Sequence, residues 1–84
     1  MEGKNMNILT LKFFDDNVIM YEYQPEGKGE KGIISYNKKN GDFRVEKSAE
    51  EDDNAGYYAR MAQSKIANIV DKKNLPMECV QALY

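Results

Sequence analysis

The chain has 84 residues, of which 42% are hydrophobic, enough for a single small domain with one modest core. Its 12 basic and 14 acidic side chains give a net charge of −2, which argues against the basic surface that non-specific nucleic-acid binding needs. Histidine is absent and cysteine occurs once, so the chain lacks the commonest general base and cannot form an internal disulfide.

These counts favour a cytoplasmic protein that does not cross a membrane. A lone Cys79 suits a reducing compartment, no secretory signal is recognisable, and the apolar runs are far shorter than a membrane span. We expect Cys79 to be a small buried hydrophobe, because no histidine is present to activate its thiol. Residues 1–5 are polar and predict a flexible N-terminus, and residues 6–84 predict a single domain.

The first two patterned segments predict an antiparallel hairpin. Residues 7–14 and 18–24 alternate as half-buried strands do, and the short polar turn at residues 15–17 joins them. One face of this hairpin is predicted to hold Leu9, Leu11, Phe13, Ile19, Tyr21 and Tyr23. The opposite face is predicted to hold Ile8, Phe14, Val18 and Met20.

Two further strands are predicted at residues 32–37 and 42–47, where Asn40-Gly41 supplies a hairpin turn that accepts positive φ. The loop before them contains Gly27, Gly29 and Gly32 in the spacing of a dinucleotide-binding motif. That motif requires a helix directly after the loop, whereas a strand is predicted here. We therefore interpret the loop as a hairpin connection and expect no cofactor.

Residues 53–73 predict the one long amphipathic helix of the chain, because Tyr58, Ala62, Ile66 and Ile69 recur at helical spacing. Asp52 or Asp53 is expected to cap it, while the capping-box spacing of Ser48 and Glu51 leaves an earlier start open.

An acidic patch precedes the helix and consists of Glu50, Glu51, Asp52 and Asp53. Consecutive carboxylates point in different directions and lack the spacing of a calcium loop, so no metal site is predicted. The patch remains a hypothetical contact for a basic partner, or an imitation of nucleic-acid phosphates. The end of the chain, residues 75–84, fits either a fifth strand or a short helix that begins at Pro76.

The segments YQPEGKGEKGIISYNKKNGDF and YYARMAQSKI resemble a family of small uncharacterised bacterial proteins with a domain of unknown function. The resemblance covers most of the chain from Met6 onward and rests on the Pro-Glu-Gly loop, the Asn-Gly hairpin and the Tyr/Ala-rich helix. It implies a bacterial or mobile-element origin, and it carries no catalytic residues and no function.

The predicted fold is α+β: a four-stranded antiparallel meander followed by one long helix packed on one face. One helix covers one sheet face, so apolar residues of the other face form a candidate interface. They are Ile8, Phe14, Val18, Met20 and Ile33. We therefore predict a non-enzymatic protein-interaction module whose partner is another protein or a second copy, with a homodimer formed through the sheet. The alternative is a nucleic-acid-associated protein that uses sheet aromatics or the acidic patch.

Overall fold

One antiparallel sheet and one helix form the protein in a computed structural model that describes residues 5–52, 56–71 and 75–83. The strands are β1 (Asn5–Phe14), β2 (Val18–Pro25), β3 (Gly32–Asn37), β4 (Phe43–Lys47) and β5 (Glu78–Leu83), and the helix is α1 (Tyr57–Asp71). Residues 1–4, which belong to the predicted flexible N-terminus, lie outside this description.

The strands are arranged in the order β4-β3-β2-β1-β5, and every neighbouring pair is antiparallel. The first four strands follow one another as a meander, and β5 returns from the helix to lie beside β1. The α+β prediction is therefore confirmed, with five strands in the sheet.

Two hydrogen bonds join the segment after the helix to the sheet directly before β5 begins. The Tyr21 hydroxyl donates a hydrogen bond of 2.7 Å to the Pro76 carbonyl, and the Leu11 amide donates one of 2.8 Å to the Met77 carbonyl. Residues 78–83 then continue in register along β1. Of the two alternatives for the end of the chain, the strand is the one that forms.

The two predicted turns are held by short polar side chains. Asp15 Oδ1 accepts hydrogen bonds of 2.8 Å from the amides of Asn17 and Val18, and these bonds lower the pKa of the Asp15 carboxyl. In the second hairpin Asn37 Oδ1 accepts from the Lys39 amide, and Gly41 has the expected positive φ of 78°.

The core lies between the sheet and α1. Leu9, Ile19, Tyr21, Tyr23 and Ile34 of the sheet are buried against Ala59, Ala62, Ile66 and Ile69 of the helix. The alanines leave room for the two tyrosine rings, so small helix side chains meet large sheet side chains. This is the helical stripe that the sequence predicts.

The helix begins later than the capping-box spacing of Ser48 and Glu51 allows. Its first residue is Tyr57, and its first backbone bond joins the Arg60 amide to the Gly56 carbonyl at 2.9 Å. The predicted flanks at residues 53–55 and 72–74 lie outside the described residues.

A β-bulge in β1 corrects the predicted placement of Phe14. Leu11 pairs with Tyr21, but Phe13 pairs with Met20 and Phe14 pairs with Ile19, so Lys12 is the extra residue. Directly opposed residues share a sheet face, and the bulge therefore moves Phe14 to the helix side and Phe13 to the opposite side. Strict alternation, on which the prediction depended, fails at this one residue.

Gly32 is required because three other groups approach its Cα closely. A Cβ at this position would collide with the Tyr23 ring, and would lie 2.5 Å from the Ala49 amide nitrogen and 2.7 Å from the Lys47 carbonyl oxygen. Since two of these atoms belong to backbone, they cannot move aside as a flexible side chain would. Gly32 thus permits Tyr23 to pack across β3.

We predict that Gly32→Ala destabilises the fold by about 3 kcal/mol or more, because the added methyl overpacks a site bounded by backbone. Gly41→Ala is the matched control: its φ of 78° disfavours a side chain but the nearest atom lies 4.0 Å away, and a cost of about 1–2 kcal/mol is expected there. Urea unfolding measures both. Equal losses in the two variants would contradict the close-approach account.

Candidate functional site

The sheet face away from α1, called here the outer face, is the surface that no described element covers. The register places on it Met6, Ile8, Thr10, Phe13, Val18, Met20, Glu22, Ile33, Ser35, Arg44, Glu78, Val80 and Ala82. Four of the five predicted interface residues, Ile8, Val18, Met20 and Ile33, are among them and are half-buried. Phe14 is not, and Phe13 takes its place with 47% of its surface exposed.

The apolar residues of the outer face form two separate patches. The turn-end patch consists of Phe13, Val18 and Met20, near the β1–β2 turn. The edge patch consists of Met6, Ile8 and Val80, where Ile8 pairs directly with Val80 across β1 and β5. The sequence predicts an interface on this face, and the register divides most of its apolar residues between these two patches.

A charged belt separates the two patches. The Glu22 carboxylate lies 4.0 Å from the Lys12 Nζ and 3.7 Å from the Lys31 Nζ, so one acid neutralises two lysines. Beside Glu22 on the sheet lie Thr10 and Ile33. These pairs leave the centre of the face without a continuous basic strip for a phosphate backbone to follow.

A shallow cleft of about 260 Å³ opens beside the turn-end patch, between β2, β3, β4 and the β3–β4 turn. Its polar lining is tied together, since the Ser35 hydroxyl donates a hydrogen bond of 2.7 Å to Glu46, and Arg44 lies 3.8 Å from the same carboxylate. The cleft is lined by Val18, Ser35, Asn37, Asn40, Asp42, Phe43, Arg44 and Glu46.

The acidic patch is only partly a surface, which corrects its predicted character. Asp52 is buried, with 8% of its surface exposed. Glu50 is exposed, but its carboxylate accepts a hydrogen bond of 3.0 Å from the Glu30 amide, and Glu51 is exposed. Asp53 lies outside the described residues. Imitation of phosphates requires a row of free carboxylates. The buried Asp52 cannot be part of such a row.

Asp52 instead caps the helix, as the sequence predicts for Asp52 or Asp53. Its Oδ1 accepts from the Tyr58 amide at 3.0 Å, and its Oδ2 accepts from the Ala59 amide at 3.1 Å. These amides lie in the first turn, where no intrahelical carbonyl can satisfy them. The negative charge also lies at the positive end of the helix dipole.

The same carboxylate joins the helix to the sheet through Tyr23. The Tyr23 hydroxyl donates a hydrogen bond of 2.9 Å to Asp52 Oδ2 and accepts one of 3.0 Å from the Ala49 amide. Burial is the main cause that raises the pKa of Tyr23 to about 12, and the neighbouring Asp52 adds to it. The sequence contains no local signal for this contact, because Tyr23 and Asp52 lie on different elements.

A second tyrosine holds the glycine loop to the helix. The Tyr58 hydroxyl donates a hydrogen bond of 2.7 Å to the Glu26 carboxylate, and the backbone of Glu26 has a positive φ of 56°. Burial is the main cause that raises the pKa of Tyr58 to about 12, and the Glu26 carboxylate adds to it. The loop is therefore connected to the helix, and it lies between two strands as the sequence predicts.

Asn7 and Gln81 attach the helix to strands β1 and β5. The Asn7 side-chain amide donates hydrogen bonds of 2.9 Å to the Tyr58 carbonyl and 3.3 Å to the Gln81 side chain. The Gln81 side chain donates one of 2.7 Å to the Met61 carbonyl. Asn7 is fully buried and its Oδ1 has no hydrogen-bond partner. Asn7 and Gln81 are polar residues at core-facing positions, which was the signal available in the sequence. The alternating strand pattern alone did not predict that they bond to the helix.

Cys79 and the acidic side chains are the remaining candidates for chemistry. Cys79 is half-buried against the core, and burial is the main cause that raises the pKa of its thiol. Within residues 5–52, 56–71 and 75–83, no group of three His, Cys, Asp or Glu is placed to hold a metal ion. In the same part of the chain, no helix combines the length and apolar content needed to cross a membrane.

Comparison with protein-family models, with curated proteins and with solved structures found no match to this chain. No function is therefore transferred from a relative, and the bacterial origin implied by the resemblance stays a prediction.

We predict that Asp52→Ala lowers the free energy of unfolding by about 3 kcal/mol, because it leaves two helix amides and the Tyr23 hydroxyl without their acceptor. Glu51→Ala, one residue away and exposed, is the control and is expected to change stability by less than about 0.5 kcal/mol. Chemical denaturation followed by circular dichroism measures both. A similar loss in the two variants would contradict the capping role.

We predict that stability falls between about pH 10 and pH 12, because Tyr21, Tyr23 and Tyr58 each have a pKa of about 12 in the fold. An unfolded tyrosine ionises near pH 10. The stabilisation from the neutral hydroxyls is thus complete below pH 10 and is lost as the pH rises through the native pKa.

Tyrosinate absorbance checks this in native protein and in urea, and the native titration should contain a late component. Tyr21→Phe is the control, since it should remove one of the three late-titrating groups. Coincident native and denatured titrations would refute the shift.

Proposed function

We propose that this chain is a non-enzymatic protein-interaction module that self-associates through its sheet. The observation that carries the proposal is the exposure of large apolar side chains on the outer face and beside the β5 edge. Phe13, Val80 and Met77 expose 47%, 58% and 70% of their surfaces. Phe13 and Val80 belong to the two patches of the outer face, together with the half-buried Met20 and Ile8. Exposed apolar patches on an uncovered face are typical of an interface.

The use of the polar side chains supports the non-enzymatic part of the proposal. Asp52, Glu26 and the hydroxyls of Tyr23 and Tyr58 are all engaged in the hydrogen bonds that attach α1 to the sheet and to the glycine loop. They are occupied in holding the fold and do not converge on the 260 Å³ cleft, whose lining is a separate set of residues.

A second copy of the chain is the partner that this proposal names, and a cytoplasmic dimer is its expected form. The lone Cys79 fits a reducing compartment, since it cannot contribute an internal disulfide. The nucleic-acid alternative has less support, because Glu22 neutralises Lys12 and Lys31 on the outer face and Asp52 is buried.

We predict a reversible monomer–dimer equilibrium in the micromolar range, measured by sedimentation velocity on the full chain at several concentrations. Burial of the exposed apolar side chains supplies the driving force. Dilution is the control, because a specific dimer dissociates on dilution and an aggregate does not. A single monomeric species at every concentration would refute self-association.

A further inference from the structure

The two edges of the sheet differ in how well they are protected against pairing with another strand. The edge strand β4 has five residues, carries Arg44, Glu46 and Lys47, and shifts its register with β3 between Ile33 and Ile34. Short length, charge and a register irregularity are the features by which natural edge strands avoid pairing.

The opposite edge strand, β5, is only one residue longer, but it carries less charge and has no register shift. It has six residues, Glu78 is its only charged residue, and its pairing with β1 runs without a register shift. Val80, at its centre, is 58% exposed. An edge strand of this character is a template for a further strand.

The hydrogen-bond pattern identifies which backbone groups of β5 point outward. The Leu11 amide bonds to the Met77 carbonyl, so this pair belongs to the bonded set of the β1–β5 ladder. Bonded and non-bonded pairs alternate in an antiparallel ladder, and every second residue of β5 therefore directs its N–H and C=O away from β1. Those residues are Glu78, Val80 and Ala82.

We propose that β5 pairs antiparallel with β5 of a second copy, with Val80 at the two-fold axis, so that the two sheets become one. The inference rests on the proposed self-association and names the element that produces it. In this register Val80 opposes Val80, and Glu78 opposes Ala82 of the other copy. Every outward N–H and C=O of these three residues then has a partner.

Charge and backbone chemistry favour this register over one shifted toward the start of β5. Glu78 meets an alanine rather than another glutamate, so no like charges face each other. A register shifted by one pair toward the start of β5 brings Ala82 opposite Pro76, which has no N–H to donate.

The side chains favour a second copy as the occupant of the edge. Val80 pairs with Ile8 within the chain, and both lie on the outer face. Val80-to-Val80 contact therefore extends the edge patch of one copy directly into that of the other. The result is one apolar stripe that crosses the two-fold axis, with an isologous contact of the kind that closes a dimer.

Introducing a charge at the two-fold axis tests the proposal, with sedimentation velocity on the full chain as the measurement. Val80→Lys and Val80→Glu each place like charges against each other, and each is expected to raise the dissociation constant at least about tenfold. An equimolar mixture of the two variants should associate again, because Lys then faces Glu. Asn68→Glu, at an exposed position of α1, is the control and should dimerise like the parent chain. Met20→Glu tests the competing contact through the turn-end patch and should also leave the β5 dimer intact.

Val80→Pro is a second route that needs no charge. Its missing N–H is one that points away from β1, so the sheet of the monomer keeps its bonds while the dimer loses them. Urea unfolding confirms that each variant is folded before its association is measured.

The outcomes separate the two proposals. Dimers that withstand all Val80 variants but are lost in Met20→Glu would overturn the β5 pairing and leave self-association intact. Failure of the mixed variants to associate would overturn the register centred on Val80. A parent chain that is monomeric throughout would overturn both proposals, whatever else the β5 edge binds.

Discussion

The Asp52 carboxylate is the contact on which the rest of the structure depends, because it joins three parts of the chain at one buried point. It accepts from the first turn of α1 and from the Tyr23 hydroxyl of β2, and Tyr23 in turn accepts from the Ala49 amide. Gly32 makes this contact possible, because its lack of a side chain leaves room for the Tyr23 ring. The orientation of the helix on the sheet is thus fixed by polar bonds, while the alanine and isoleucine stripe supplies the apolar burial.

Local patterns in the sequence were sufficient to predict most of the secondary structure. Alternation predicted the four strands of the meander, Asp15 and Asn40-Gly41 predicted its turns, and helical spacing predicted the buried stripe of α1. Each of these features depends on residues within one turn or one strand. The choice of strand for residues 78–83 depends instead on contacts with Tyr21 and Leu11, which no local pattern contains.

The candidate site was harder to predict because a single extra residue reverses a face. Periodicity of two assigns Phe13 to the core and Phe14 to the outer face, and the bulge at Lys12 exchanges them. The four acids of the acidic patch look alike in sequence, yet Asp52 is buried as a cap while Glu51 remains exposed. Which acid turns inward is decided by Tyr23, a residue far away along the chain.

The position of β5 beside β1 has a consequence for the order in which the sheet is completed. Asn7 and Gln81, which bond across this pair, lie 74 positions apart, whereas the three hairpins of the meander join strands that follow one another. Closing a long loop costs more chain entropy than closing a turn, so local hairpins are the contacts with the smaller kinetic barrier. We therefore expect the β1–β5 ladder to be the slow, non-local step of folding, so that one edge of β1 stays unpaired until this ladder is complete.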